Sequence, residues 1–174
     1  IYRKGIDILL KSYINAFSVK DDVCLVIKDF GGKSFYKNQT FKAKIASLMQ
    51  GKNNPEIEYI NETLSDEDLV GLYTACDVLV HPYRGEGFGL PILEAMACGI
   101  PTIITNGGAA LDFCNKRTSL FVKATKKVHD SRIIGEKKLV DNAWFWEVDK
   151  IDLAQKLQFA YRNPDVMTKM GTYA

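Results

Sequence analysis

Short, continuously apolar runs alternate along this chain with segments whose apolar residues recur at helical spacing. The clearest run is Val23-Cys24-Leu25-Val26-Ile27, the composition of a strand buried on both faces. Before it, Ile6, Leu9, Leu10, Tyr13, Ile14 and Phe17 make one apolar stripe of a helix. After it, Phe41, Ile45, Leu48 and Met49 mark a second amphipathic helix, and Ile57 to Ile60 a short strand. Ser65, with Asp68 three residues on, has the pattern of a capping box. The helix it opens should carry Leu69, Leu72, Tyr73 and Cys76 inward. A strand from Asp77 to His81, a helix from Pro91 to Cys98 and strands at Thr102–Thr105 and Ser119–Val122 follow. Strand and helix in strict alternation predict an α/β fold, a doubly wound parallel sheet with helices on both faces. Residues 123–142 are polar and weakly periodic and read as a long surface loop. Trp144 to Val148 reads as the last strand. Asp149 and Asp152 are placed to cap a closing helix with Ile151, Leu153, Leu157 and Tyr161 on its inner side, stopped at Asn163-Pro164.

The 174 residues suit one domain with a full core. A net charge of +2, with no tract of clustered Lys and Arg interleaved with aromatics, gives no nucleic-acid reading. Lys123, Lys126 and Lys127 are the densest basic run and read as a solvated loop. The four cysteines, Cys24, Cys76, Cys98 and Cys114, form no C-x-x-C pair, and no His is spaced to complete a metal site. They read as reduced thiols of a cytoplasmic protein. No apolar run is long enough to span a bilayer, and no signal peptide is evident.

The stretch from Asp77 to Gly108 carries the chemistry. A buried strand ends at His81-Pro82, the loop Tyr83 to Gly89 follows, and a helix then starts with Pro91 in its first turn. In open α/β sheets, ligands bind at this edge, outside the carboxyl ends of the strands. N–H groups near Gly89, Leu90 and Ile92 suit a diphosphate, aided by the helix dipole. Glycines at 85, 87 and 89 let backbone approach a ligand closely. Glu94, one turn into the helix, suits a vicinal diol such as that of a ribose; Glu86 suits the hydroxyls of a hexose. Two carboxylates near a phosphate require a cation, and Lys4 is the candidate. Each feature alone has a plainer reading: a tight turn, a solvent-facing glutamate, a surface lysine. Their order within one strand–loop–helix unit is what those plainer readings leave unexplained.

The run from His81 to Pro101 closely resembles the signature of GT-B-fold retaining glycosyltransferases of the group 1, family 4 type. That group includes sucrose synthase-like and bacterial mannosyl- and glucosyltransferases. Its hallmark is two glutamates separated by seven residues, here Glu86 and Glu94. The run from Arg3 to Leu10 and the segment Leu64 to Leu69 also resemble family segments. The resemblance implies a Rossmann-like donor-binding domain. By position, Lys4 matches the lysine on the donor diphosphate, and Glu86 the glutamate beside the transferred sugar. Gly87, Phe88 and Gly89 match the backbone lining the sugar pocket, Leu90 a backbone donor to phosphate, and Glu94 the ribose-binding glutamate. Tyr59 and Ile60 match the strand end that meets the base. The implied donor is a UDP- or GDP-linked hexose, transferred with retention to an acceptor hydroxyl on a glycan, lipid or protein. Neither a cofactor nor a metal is expected. The resemblance leaves room for peripheral membrane association of the parent.

Two departures from the family pattern are expected to matter. The arginine partner of Lys4 belongs to a strand upstream of Ile1, and in a doubly wound sheet that first strand is central. The N-terminal acceptor domain is also missing from the pattern. Residues 1–174 are therefore expected to be a single truncated donor-binding domain, inactive alone. A nucleotide-binding module without catalysis and a GT-B-fold sugar-nucleotide epimerase are the competing readings. A flavodoxin-like regulatory domain would need clustered acidic residues at the first strand's end, which are not found. His81 reads as packed rather than catalytic, and His129 as exposed.

Overall fold

The computed structural model describes residues 2–29, 41–134 and 137–174. A short 3-10 turn, Tyr2–Lys4, leads into α1 (Ile6–Ala16), β1 (Cys24–Lys28), α2 (Lys42–Met49), β2 (Glu56–Ile60) and α3 (Asp66–Thr74). Then come β3 (Leu79–His81), α4 (Leu90–Ala97), β4 (Thr102–Thr105), a 3-10 turn at Ala109–Asp112 and β5 (Ser119–Val122). The remainder holds β6 (Ala124–Val128), β7 (Ile133–Ile134), β8 (Lys137–Lys138), β9 (Trp144–Val148), α5 (Lys150–Arg162) and α6 (Pro164–Thr172).

The predicted α/β class is what the chain adopts. Its parallel strands, however, lie in two sheets rather than one. β1 pairs with β2, and β3, β4 and β5 pair in that order, all parallel. Among the described residues β1 and β3 are each paired on one edge only. Both sheets are held by the same helices. Ile8, Leu9, Leu10 and Tyr13 of α1 pack in one cluster with Leu25 and Ile27 of β1 and Ile103 of β4; Leu153 and Leu157 of α5 and Met167 and Met170 of α6 complete it. Two hydrogen bonds lock α1 to the α5 segment, from Ser12 Oγ to the Lys150 carbonyl and from Gln158 Nε2 to the Ala16 carbonyl.

A second cluster of Tyr83, Ile92, Met96, Ile104, Ala110 and Cys114 lies on the other face of β4. Successive strand residues point to opposite faces, so Ile103 enters the first cluster and Ile104 the second. All of β4 is buried, as a central strand should be. β1 differs from expectation. Leu25 and Ile27 are buried, but Val26 is half-buried and Cys24 exposed, because the second cluster draws nothing from β1. The cysteines are all free thiols, and Cys114 alone is fully buried.

The capping predictions are met at α3, where Ser65 Oγ accepts the Asp68 N–H and three acidic residues complement the helix dipole. α3 nevertheless buries none of its residues completely, so Leu69, Leu72, Tyr73 and Cys76 are half-buried. Asp149 caps α5 by accepting from Ile151 and Asp152. The Asp152 side chain is not a second cap. Its buried carboxylate accepts the Lys123 N–H at 2.8 Å and ties the end of β5 to α5. Leu153 and Leu157 face inward as expected, whereas Ile151 and Tyr161 are exposed. The helix stops before Asn163, and Pro164 then opens α6, which the sequence pattern does not suggest.

The surface loop expected over 123–142 contains strands instead. β6 pairs antiparallel with β9, and β7 with β8; residues 135 and 136 of that stretch lie outside the described ones. Most of β6 is solvated, so it shows no apolar alternation, and its strand character comes from the backbone ladder to β9. His129 is half-buried rather than exposed, with its ring 4.6 Å from that of Phe145. Among the described residues no helix is long and apolar enough to cross a membrane.

Candidate functional site: the loop between β3 and α4

β3 ends at His81, and the chain turns through a loop whose first half is pinned. Pro82, Tyr83 and Arg84 are buried. The Tyr83 hydroxyl donates to the Gly107 carbonyl at 2.6 Å, and the Tyr83 carbonyl accepts from Thr105 Oγ1 at 2.7 Å. Arg84 makes a forked ion pair with Asp7 of α1, at 2.7 and 2.8 Å, and donates to the Tyr2 carbonyl. Its guanidinium also stacks on the Tyr2 ring. Its N–H donates to the Arg3 carbonyl, and its own carbonyl accepts the Trp146 N–H from β9. Burial works against the charge on each partner and is outweighed by the pairing, so the Asp7 pKa is lowered and that of Arg84 raised.

This anchoring brings the first turn of the chain to the loop. Gly5 adopts φ +73°, and a Cβ there would overlap the Pro82 carbonyl. Glycine therefore lets Arg3 and Lys4 lie directly against the strand end. Lys4 Nζ forms an ion pair with Glu86 Oε2. Arg3 donates to the Gly85 carbonyl at 2.7 Å and lies 3.4 Å from Glu86 Oε1. His81 Nε2 is 3.4 Å from Glu86 Oε2. Burial lowers the His81 pKa despite Glu86, so its ring is neutral and donates from Nε2 near pH 7. At Glu86 burial pushes upward, but the His81 hydrogen bond and the Lys4 hydrogen bond and charge outweigh it, with Arg3 adding. The carboxyl pKa falls well below the ordinary range.

Of the predicted residues, Lys4 and Glu86 are thus brought into contact. Lys4 is expected to serve a diphosphate, and in this structure its contact is Glu86. Arg3, which the sequence reading does not single out, is a second cation at Glu86 beside Lys4. The Arg-Lys-Gly run is the available signal, with the glycine marking a close backbone approach. His81 is packed as expected, yet it also touches Glu86.

The second half of the loop is open. Gly87 and Phe88 are exposed, and the Phe88 ring lies 5.5 Å from that of Phe113. Gly89 precedes α4 at φ +98°, a conformation L side chains rarely adopt. At Gly87 a Cβ would meet nothing within 4 Å, so packing within the chain does not require glycine there. Ile92 does not offer a free N–H, because it donates to the Gly89 carbonyl at 2.9 Å. The N–H groups of Phe88, Gly89 and Leu90 have no partner among the described residues. Leu90 is exposed. Glu94 is exposed one turn further on, and the Tyr73 hydroxyl of α3 donates to its Oε2 at 2.9 Å. The sequence pattern gives Tyr73 only a packing role. Tyr59 and Ile60 lie at the C-terminal end of β2, where the Tyr59 hydroxyl donates to Asp29 Oδ2 and the Ile60 carbonyl accepts the Asp29 N–H. Among the described residues no group of three or more His, Cys, Asp or Glu side chains is placed to hold a metal ion.

Comparison with known proteins decides the family. A family model described as glycosyl transferases group 1 matches residues 1–134. The chain belongs to this family. Serotype-specific mannosyltransferase WbdA of Escherichia coli is 38% identical over 100 residues, 58% of this chain and 12% of that protein. D-inositol 3-phosphate glycosyltransferase of Arthrobacter sp. (strain FB24) is 31% identical over 124 residues, 71% of this chain and 28% of that protein. This group 1 chain therefore spans a minor part of the curated relatives it matches. Among solved structures, Anabaena Alr3699/HepE in complex with UDP and glucose superposes with a TM-score of 0.64 at 18% identity, covering 99% of this chain and 39% of that one. The catalytic domain of cholesterol-alpha-glucosyltransferase from Helicobacter pylori gives 0.65 at 19% identity, covering 99% of this chain and 87% of that one. These likenesses show the α/β fold of the C-terminal domains of GT-B glycosyltransferases.

Proposed function

We propose that the loop between β3 and α4 binds a nucleotide-diphosphate sugar, a UDP- or GDP-linked hexose. The protein carrying this domain transfers the hexose to an acceptor hydroxyl with retention of configuration. The observation that carries this reading is the juxtaposition of Lys4 and Glu86 beside the unpartnered N–H groups that open α4. The diphosphate takes the Phe88, Gly89 and Leu90 N–H groups and the Lys4 charge. Glu86 faces the hexose, Gly87 leaves room for it, and Glu94 takes the ribose hydroxyls. The base lies toward Tyr59 and Ile60. The bond from the anomeric carbon to the diphosphate oxygen breaks with its electron pair on the diphosphate, and the acceptor oxygen forms the new bond. The acceptor's proton passes to the diphosphate or to water. Lys4 and the helix N–H groups stabilise the leaving charge, so no metal is required. That HepE is described with UDP and glucose supports the donor class.

The acceptor, a glycan, lipid or protein, is held by a further domain, and the site works in the cytoplasm. Among the described residues β1 and β3 are each paired on one edge only, which supports a further strand between them, supplied by a preceding segment. A domain of this kind on its own is a nucleotide binder without turnover.

Two measurements test the reading. A thermal-shift panel of nucleoside diphosphates and sugar nucleotides should raise the melting temperature. Ligand at 100 times its Kd stabilises by about 2.7 kcal/mol, roughly 5–10 °C for a domain of this size. No shift with any of them refutes the donor site. In the full-length protein, Glu86→Gln should lower turnover sharply and EDTA should not; near-normal turnover removes Glu86 from the mechanism.

A further inference from the structure

We infer that Tyr73 is a positioning residue, which fixes the Glu94 carboxylate for the ribose diol. The inference rests on the reading of Glu94 given above. Glu94 projects from the exposed side of α4, where a glutamate side chain is otherwise free to sample several rotamers. The Tyr73 hydroxyl, reaching across from the last turn of α3, donates to Oε2 at 2.9 Å. Oε1 keeps no partner among the described residues. One oxygen is thus held and the other left to accept from a ligand. A carboxylate has about four acceptor positions, so the phenol does not exhaust even the oxygen it holds.

Three further observations favour positioning over packing. α3 buries no residue completely, and the Tyr73 hydroxyl has Glu94 as its hydrogen-bond partner, so the fold has no other use for that hydroxyl. Burial, and after it the bond to Glu94, raises the Tyr73 pKa, so the phenol remains a donor across the working range. Finally, α3 leaves the end of β2, where Tyr59 and Ile60 lie. The one segment β2–α3 therefore carries both the end assigned to the base and the clamp on the ribose carboxylate.

The test compares UDP and GDP with their 2′,3′-dideoxy counterparts, by calorimetric Kd, on the wild type, Tyr73→Phe, Glu94→Gln and the double variant. The wild type should prefer the ribonucleotide. Tyr73→Phe, which keeps the ring, should bind the ribonucleotide about five-fold more weakly and the dideoxynucleotide unchanged. It should add little once Glu94→Gln is present. A wild type without ribose preference overturns the Glu94 reading and this inference with it. A wild type with that preference, retained in full by Tyr73→Phe, overturns the Tyr73 assignment alone. So does equal weakening for both nucleotides, or a Tyr73→Phe chain that fails to fold, since each marks a merely structural phenol. Additive losses in the cycle count against it in the same way.

Discussion

Replacing Asp7 by Asn tests the claim that an ion pair outside the site holds the site together. Asp7 is the forked partner of Arg84, whose side chain is 6% exposed. The substitution preserves volume and removes the charge. Arg84 then keeps the Tyr2 carbonyl and the Tyr2 ring, while the new amide turns an N–H group toward guanidinium donors. Breaking one side of a buried pair costs about 3–5 kcal/mol. The Asp7 side chain is 18% exposed, so water relieves part of that, and the lower end, about 3 kcal/mol, is the expected loss. For a domain of this length that is roughly a 6–12 °C fall in melting temperature. Urea unfolding at neutral pH should show a lower midpoint with an unchanged slope. The pH dependence fixes the cause. The Asp7 pKa is lowered in the folded state, so its stabilisation is present above the unfolded value and is lost as pH falls through the folded one. Wild type and variant should therefore converge between neutral pH and about pH 2. Replacing both partners by Leu and Met should recover most of the loss. A neutral-pH loss under about 1 kcal/mol, or a gap that does not narrow in acid, refutes the argument.

Gly5→Ala should destabilise by about 2 kcal/mol or more, because φ +73° and the overlap with the Pro82 carbonyl act together. Nucleotide affinity should fall with it as Lys4 is displaced; full stability in a thermal melt would contradict the close approach. Asp152→Ala should cost about 1 kcal/mol by removing the buried acceptor of the Lys123 N–H, read from denaturant midpoints, whereas Asp152→Asn should recover part of it. Lys4→Ala removes one of the groups holding Glu86 ionised, so the Glu86 pKa should rise toward the ordinary carboxylate value. Carboxyl NMR titration measures this, and an unmoved Glu86 would show that His81 and Arg3 suffice.

What is legible in the sequence is whatever depends on local pattern or on a motif held within one short segment. The α1 stripe, the Ser65 cap and the strand–loop–helix unit from Leu79 to Ala97 all belong to that class. What escapes depends on partners distant in sequence. β6 is a strand because β9 pairs with it, and its own residues show no alternation. Asp152 sits where a cap would, but Lys123 claims it. The partners of Arg84 and Tyr73 lie on other elements, at Asp7 and Glu94, so neither role has a local signature. Glu86 and Glu94 are visible because their spacing is local, whereas the arrangement of cations around Glu86 is not.

The anchoring of Arg84 has a mechanical consequence. Its side chain is bolted to the first turn of the chain and its carbonyl to β9, while Tyr83 is latched to Thr105 and Gly107. Displacing Pro82 to Gly85 as a flap would break all of these together. Gly87 and Phe88 are held less: the Gly87 N–H donates to the carboxylate of its neighbour Glu86, and Phe88 meets the Phe113 ring, while both residues remain exposed. Any movement of the loop is therefore expected at its exposed tip, Gly87 and Phe88, against a base tied to three other parts of the chain.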